Sequence, residues 1–245
     1  MKCSLCNTNK VLIKKSHIIP DFLYKDIYDE NHRLIKVDIL KLINGKAKKS
    51  YVPTGSYDKY ILCKKCDNEI IGSFETHFSK ILSEKRFKYI KPTDNSKVRT
   101  YELKDFNFDK LKLFFLSILW RAAVSKLNIY RNVKLSKNQH TKIQNQILNK
   151  KTDNSLNINI IAYKFSEKSK LNRIIGMFKY TNGNYSVILK HFIVFFVFYN
   201  DDFYKISHKY SLKENELWNI LEIPIEMENK VILSYLGLKT FANTL

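Results

Sequence analysis

Four cysteines stand in two pairs, Cys3-x2-Cys6 and Cys63-x2-Cys66, and the 245 residues contain no others. A Cys-x2-Cys pair forms a tight turn that aims two sulfurs at one metal. Two such pairs complete a closed tetrahedron of thiolates, the ligand set of a structural Zn2+. The 56 residues between the pairs are many for a simple zinc ribbon, so the knuckles must clamp something substantial. That segment begins with "KKSHIIPDFLY", residues 14–24. Its histidine, His17, has three open readings: a core side chain bonded to a carbonyl, a zinc ligand, or a proton acceptor. Two carboxylates flank the second pair. Asp58 precedes Cys63 by five residues and Asp67 directly follows Cys66. Asp67 also fits the cap of a helix beginning near Cys66, and Asp58 also fits an ordinary turn after "TGSY".

"SHIIP" (16–20) and "YDKYILCKKCDN" (57–68), set between two Cys-x2-Cys pairs, resemble the four-cysteine zinc branch of the HNH, or ββα-metal, endonucleases. In that family one pair precedes a hairpin whose first strand carries a His-Ile-Ile-Pro-like run, and the second pair opens the helix of the ββα unit. The resemblance covers about residues 1–85. It implies that His17 is the general base, that Asp58 and Asp67 hold a catalytic Mg2+ or Mn2+, and that Cys3, Cys6, Cys63 and Cys66 hold the structural zinc. Ser16 stands where the family often has a metal-binding Asp or His. Asp58 and Asp67 stand where it has Asn, or Asn or His.

The implied chemistry is consistent with these residue types. Phosphodiester hydrolysis needs a base near neutrality, and an unperturbed histidine titrates at about 6.5. It also needs a divalent cation against the charge that builds on the phosphate. Mg2+ takes one or two carboxylates and fills its shell with phosphate oxygens and water. Glu75 falls eight residues beyond Asp67, about 12 Å along a helix axis, too far to share one Mg2+, so it reads as a supporting or structural group.

Composition agrees with a polyanionic partner. Lys and Arg number 43 against 23 Asp and Glu, a net charge of +20. That balance fits nucleic acid, and the resemblance implies DNA before RNA, although the Lys, Asn, Ile, Tyr and Phe content also matches AT-rich coding. An apolar fraction of 44% excludes a disordered chain. "MKCSLCNTNK" lacks the apolar core of a signal peptide. The most apolar run, residues 186–200, is interrupted by Lys190 and His191 and falls short of the roughly 20 residues that span a membrane; it reads as a buried strand. The expectation is a cytoplasmic protein with reduced thiols and no membrane contact.

The supporting elements follow from periodicity. Ile70, Ile71, Phe74, Phe78, Ile81 and Leu82 mark one face of a helix over 67–85. Residues 44–59 read as loop, 107–127 as a largely buried helix capped by Asn107, and 136–151 as a more polar helix. Strands are expected over 156–165, 174–181 and 185–199, with "TNGN" (181–184) as a hairpin turn, and a short helix over 211–221 with Ser211 and Glu214 as a capping box. The polar stretch 91–99 reads as a boundary. The fold class is therefore α+β: a zinc-stapled ββα-metal module over 1–90, then a helical and antiparallel-sheet domain over 100–245. That second domain would position nucleic acid or bind a protein partner, as in a phage-defence system or mobile element. The contrasting reading is a non-catalytic zinc-knuckle nucleic-acid-binding protein, in which SHIIP is simply a buried strand.

Overall fold

A computed structural model describes residues 1–36, 50–91, 98–179, 183–198 and 208–228. Its first half is built around two very short strands. β1 (Ser16–His17) pairs antiparallel with β4 (Tyr57–Asp58), Ser16 opposite Asp58 and His17 opposite Tyr57. Ile18 and Ile19 follow β1 into the core, both essentially sealed from solvent, and Pro20 starts a 3-10 turn at Asp21–Tyr24. Between β1 and β4 the chain makes a second ribbon, β2 (Leu34–Lys36) against β3 (Ser50–Val52). The stretch 44–59, expected as loop, thus contributes residues to two strands; residues 44–49 lie outside the described residues.

After the second cysteine pair the chain turns helical, as the periodicity requires. Its first part, Lys65–Ile71, is π-helical: the Gly72 N–H reaches back five residues to the Asp67 carbonyl. The α-helical part, α1 (Gly72–Ser83), buries Phe74, Phe78 and Ile81. α2 (Phe108–Val124) begins at Asn107, whose side chain accepts from the Lys110 N–H at 2.8 Å, and buries every residue from Leu111 to Ala122. α3 (Lys137–Asn149) opens on a reciprocal capping box between Ser136 and Gln139 and stops where Lys150 turns left-handed.

The second half carries a seven-stranded sheet in the order β5 (Lys88–Ile90), β6 (Thr100–Leu103), β11 (Trp218–Ile223), β7 (Ile158–Phe165), β10 (Phe192–Phe198), β9 (Tyr185–Leu189) and β8 (Ile175–Lys179). Three sequence expectations are corrected here. The run 185–199 is a hairpin, β9 and β10, because Lys190 takes φ 58° and turns the chain back at Lys190–His191. Residues 211–221 end in strand β11 rather than a helix. Trp218, Ile220 and Glu222 point inward at a two-residue period, and pairing with β6 and β7 outweighs the local capping signal. The sheet is mixed, not antiparallel, since β11 and β7 run parallel. Residues 181 and 182 of the expected TNGN turn lie outside the described residues, but β8 and β9 pair as a hairpin across it.

β5 sits in this sheet, although the sequence reading assigned it to the first module. Most of the expected boundary, residues 92–97, lies outside the described residues. On either side of it the apolar core is continuous, running from Cys3 and Leu5 through Phe78 and Phe114 to Trp218 and Ile220. α2 is the shared wall. Phe114 stacks on Phe78 of α1 with ring centroids 4.3 Å apart, and Phe115 meets Trp218 of the sheet edge-on at 5.7 Å. A second cluster, with Ile161, Phe165, Phe195 and Val197, covers the opposite sheet face, which explains the unbroken apolar sequence of β10. Among the described residues no helix is long and apolar enough to cross a membrane.

The continuous core makes a testable claim. Phe78→Ala should cost about 3–5 kcal/mol, the usual loss for a buried phenylalanine. Because Phe78 contacts α2, the loss should lower the denaturant midpoint read from tryptophan fluorescence, although both Trp120 and Trp218 lie beyond the expected boundary at 91–99.

Candidate functional site

The four cysteine sulfurs lie within 4.8 Å of one another. A tetrahedral zinc with Zn–S bonds of about 2.3 Å needs sulfurs roughly 3.8 Å apart, so the cluster fits. Local geometry explains the approach. Asn7 adopts φ 57° and its N–H closes the first knuckle on the Cys3 carbonyl, while the Cys63 N–H donates to the Cys3 sulfur at 3.3 Å. Ser4, Ile13 and Tyr60 add backbone bonds between the two knuckles. Burial pushes the Cys3 and Cys66 thiols up, and the close packing of the sulfurs opposes ionising all four together. A divalent cation removes that conflict. The knuckles are also tied to the second half, because the Gln144 amide of α3 donates to the Ser4 and Leu5 carbonyls at 3.0 and 2.7 Å.

His17, Ser16 and Asp67 lie beside this cluster. Ser16 is buried, and its hydroxyl donates to Asp67 Oδ1 at 2.6 Å. Ser16 thus orients the carboxylate at the start of the helix that follows the second cysteine pair. Asp67 Oδ2 accepts no hydrogen bond among the described residues, and the side chain is partly exposed.

The His17 ring lies on the other face of β1. Its Nε2 is 3.3 Å from the Thr54 hydroxyl and 3.6 Å from Asp21 Oδ1, and Thr54 donates to that same carboxylate oxygen at 3.2 Å. Burial lowers the His17 pKa, Asp21 opposes it, Arg121 reinforces it, and Asp67 and Lys15 contribute smaller effects of opposite sign.

Asp58 is not brought to this group. Its carboxylate is buried, with Oδ1 accepting from the Lys59 N–H at 2.7 Å and Oδ2 from the Ser125 hydroxyl at 2.9 Å and the Lys126 N–H at 2.7 Å. Three donors tie it to the chain leaving α2, where it fastens β4 to that turn, and the structure does not bring it together with His17 and Asp67. Among the described residues, the cysteines are the one group of three or more His, Cys, Asp or Glu whose ligand atoms converge.

Sequence reasoning missed Arg121, Asp21 and Thr54. Arg121 is 2% exposed within the most apolar helix. Its guanidinium donates through Nη1 to the His17 carbonyl at 2.6 Å, and Nη2 lies 2.8 Å from Glu75 Oε1. The signal was present, since a charge inside an apolar helix requires a buried partner. For Glu75, burial outweighs the guanidinium and leaves the carboxyl above its ordinary pKa. Thr54 lies in "PTGS", where Gly55 has no alternative: a Cβ there would stand 2.3 Å from the Tyr24 ring.

Comparison with family models, with curated proteins and with solved structures returned no match.

Two measurements check this arrangement. Elemental analysis should find one zinc per chain, and Cys63→Ser should lose it together with thermal stability, since structural zinc supplies folding energy directly. Arg121→Ala should cost about 3–5 kcal/mol in chemical denaturation, because it strands Glu75. Adding Glu75→Gln should recover part of that loss.

Proposed function

We propose that this chain is a metal-dependent nuclease of the HNH type, hydrolysing phosphodiester bonds of nucleic acid, with DNA the preferred substrate. The observation that carries the reading is the pairing of β1 with β4 ahead of the helix. It sets His17 on a strand and Asp67 on the facing helix, with Ser16 holding one Asp67 oxygen at 2.6 Å.

In this reading His17 is the base. The proton inventory around it selects the atom. Asp21 can only accept, so the single Thr54 proton goes to Asp21, and the Thr54 lone pair takes the proton of His17 Nε2. Nδ1 is then the free nitrogen that removes a proton from the attacking water. Asp21 stabilises the imidazolium that forms, through Thr54 and by its own charge at 3.6 Å. Arg121 fixes the strand by its bond to the His17 carbonyl.

A Mg2+ or Mn2+ would be held by Asp67 Oδ2, with the rest of its shell from phosphate oxygens and water, which suits Mg2+. The cation would supply charge stabilisation at the phosphate and leaving oxygen. Exposed Lys15 and Lys59, beside β1 and β4, offer positive charge to the flanking phosphates.

Purified protein should cleave DNA with Mg2+ or Mn2+. His17→Ala should abolish cleavage while leaving zinc content and nucleic-acid binding near wild type. Undiminished cleavage by His17→Ala would remove the histidine from the mechanism. The pH dependence has a defined sign. Neutral His17 is the active form, and its pKa is lowered from 6.5. Activity should therefore be full above that pH and be lost as pH falls through a midpoint below it, in single-turnover rates at saturating metal.

A further inference from the structure

We propose that the β2–β3 ribbon is a stacking platform for an unpaired base of the substrate strand, next to the phosphate at His17. This rests on the nuclease reading and specifies the substrate class: a nucleic acid with single-stranded or frayed nucleotides at the cut.

The ribbon carries apolar side chains on both faces. Leu34 faces the core, as a half-buried ribbon requires. On the opposite face the cross-strand partners Ile35 and Tyr51 are 51% and 52% exposed. The Arg33 guanidinium lies over the Tyr51 ring, 4.4 Å from its centroid. It is held there by Asp29 Oδ2, which accepts from Nε at 3.1 Å and from Nη2 at 3.0 Å. An aromatic face, a fixed planar cation and a neighbouring aliphatic side chain are what a nucleobase stacks on, and such stacking tolerates any sequence. An acidic or apolar protein partner would also meet this patch, but the chain carries a net charge of +20, which favours a polyanion.

Chain connectivity fixes the distance. Tyr51 precedes Thr54 by three residues, and Thr54 touches the His17 ring. Three extended residues span at most about 10 Å. With the reach of the side chains added, a base on Tyr51 lies within several nucleotides of the phosphate being cut, at roughly 3.4 Å per stacked step. A fully paired duplex keeps its bases inside the stack and cannot use the platform without opening.

The test uses full-length protein carrying His17→Ala, in Mg2+, with two probes: a short fluorescein-labelled single-stranded DNA and its blunt duplex. Adding Tyr51→Ala should weaken single-strand binding about tenfold and leave duplex binding nearly unchanged, while Tyr51→Phe, which keeps the ring, should bind the single strand as the parent does. Unchanged single-strand binding, or equal weakening for both probes, overturns the stacking inference alone. If the His17→Ala protein binds neither probe and the wild type cuts neither, the nuclease reading falls and takes this inference with it. Zinc content of each variant checks that the fold is intact.

Discussion

A buried arginine holds the candidate site together. The three partners of Arg121 come from three places: the His17 carbonyl on β1, the Ser117 carbonyl on its own helix, and the Glu75 carboxylate on α1. A guanidinium sealed inside an apolar helix is costly to desolvate and stable only if its donors find fixed acceptors. That requirement acts as a constraint on everything around it. β1 has only two paired residues, too few to hold its register by backbone bonds alone, and the arginine clamps it at the His17 carbonyl. α1 is drawn to the same point by Glu75, so the helix bearing Asp67 and the strand bearing His17 share one anchor in α2.

The cysteine cluster solves the complementary problem. A unit of two tiny strands and one helix encloses too little apolar surface to fold unaided. The knuckles lock the start of the chain to the start of the helix, and the Gln144 bonds lock the first knuckle to α3. The second half thus serves the first as a foundation. The seven-stranded sheet supports α2 through Phe115 and Trp218, and α2 supports the site through Phe114, Arg121 and the turn that takes up Asp58.

Much of this was legible in the sequence where one physical signal dominated. The Cys-x2-Cys pairs, the apolar faces of α1 and α2, and the Asn107 cap each impose a local geometry that tertiary contacts do not oppose. The misreadings have a common cause. Residues 211–221 carry a capping signal worth about 1 kcal/mol, and burial of Trp218 and Ile220 in the sheet exceeds it. The run 185–199 conceals its turn because neither Lys190 nor His191 is a usual turn former, and Lys190 is held by Asp26, a partner far away in sequence. The Thr54–Asp21 contacts with His17 were equally hidden: 33 residues separate that pair, and only the folded ribbon brings them to one ring.

The two aspartates show how the fold divides similar side chains between structure and chemistry. Asp58 and Asp67 flank the same cysteine pair, and the sequence gives no reason to treat them differently. The difference is the supply of donors. Asp58 faces the end of α2, where Ser125 and Lys126 leave helical geometry and free a hydroxyl and an N–H that need an acceptor. Asp58, itself buried, is the acceptor within reach of these part-buried donors. Asp67 lies in the π-helical turn, where its backbone carbonyl is taken by Gly72 and its side chain meets one donor, Ser16. One oxygen is oriented, and the other accepts no hydrogen bond among the described residues. A carboxylate oxygen without a donor is free to join the shell of a hydrated divalent cation. In the proposed nuclease this difference makes Asp67 the metal-binding carboxylate and Asp58 a structural one.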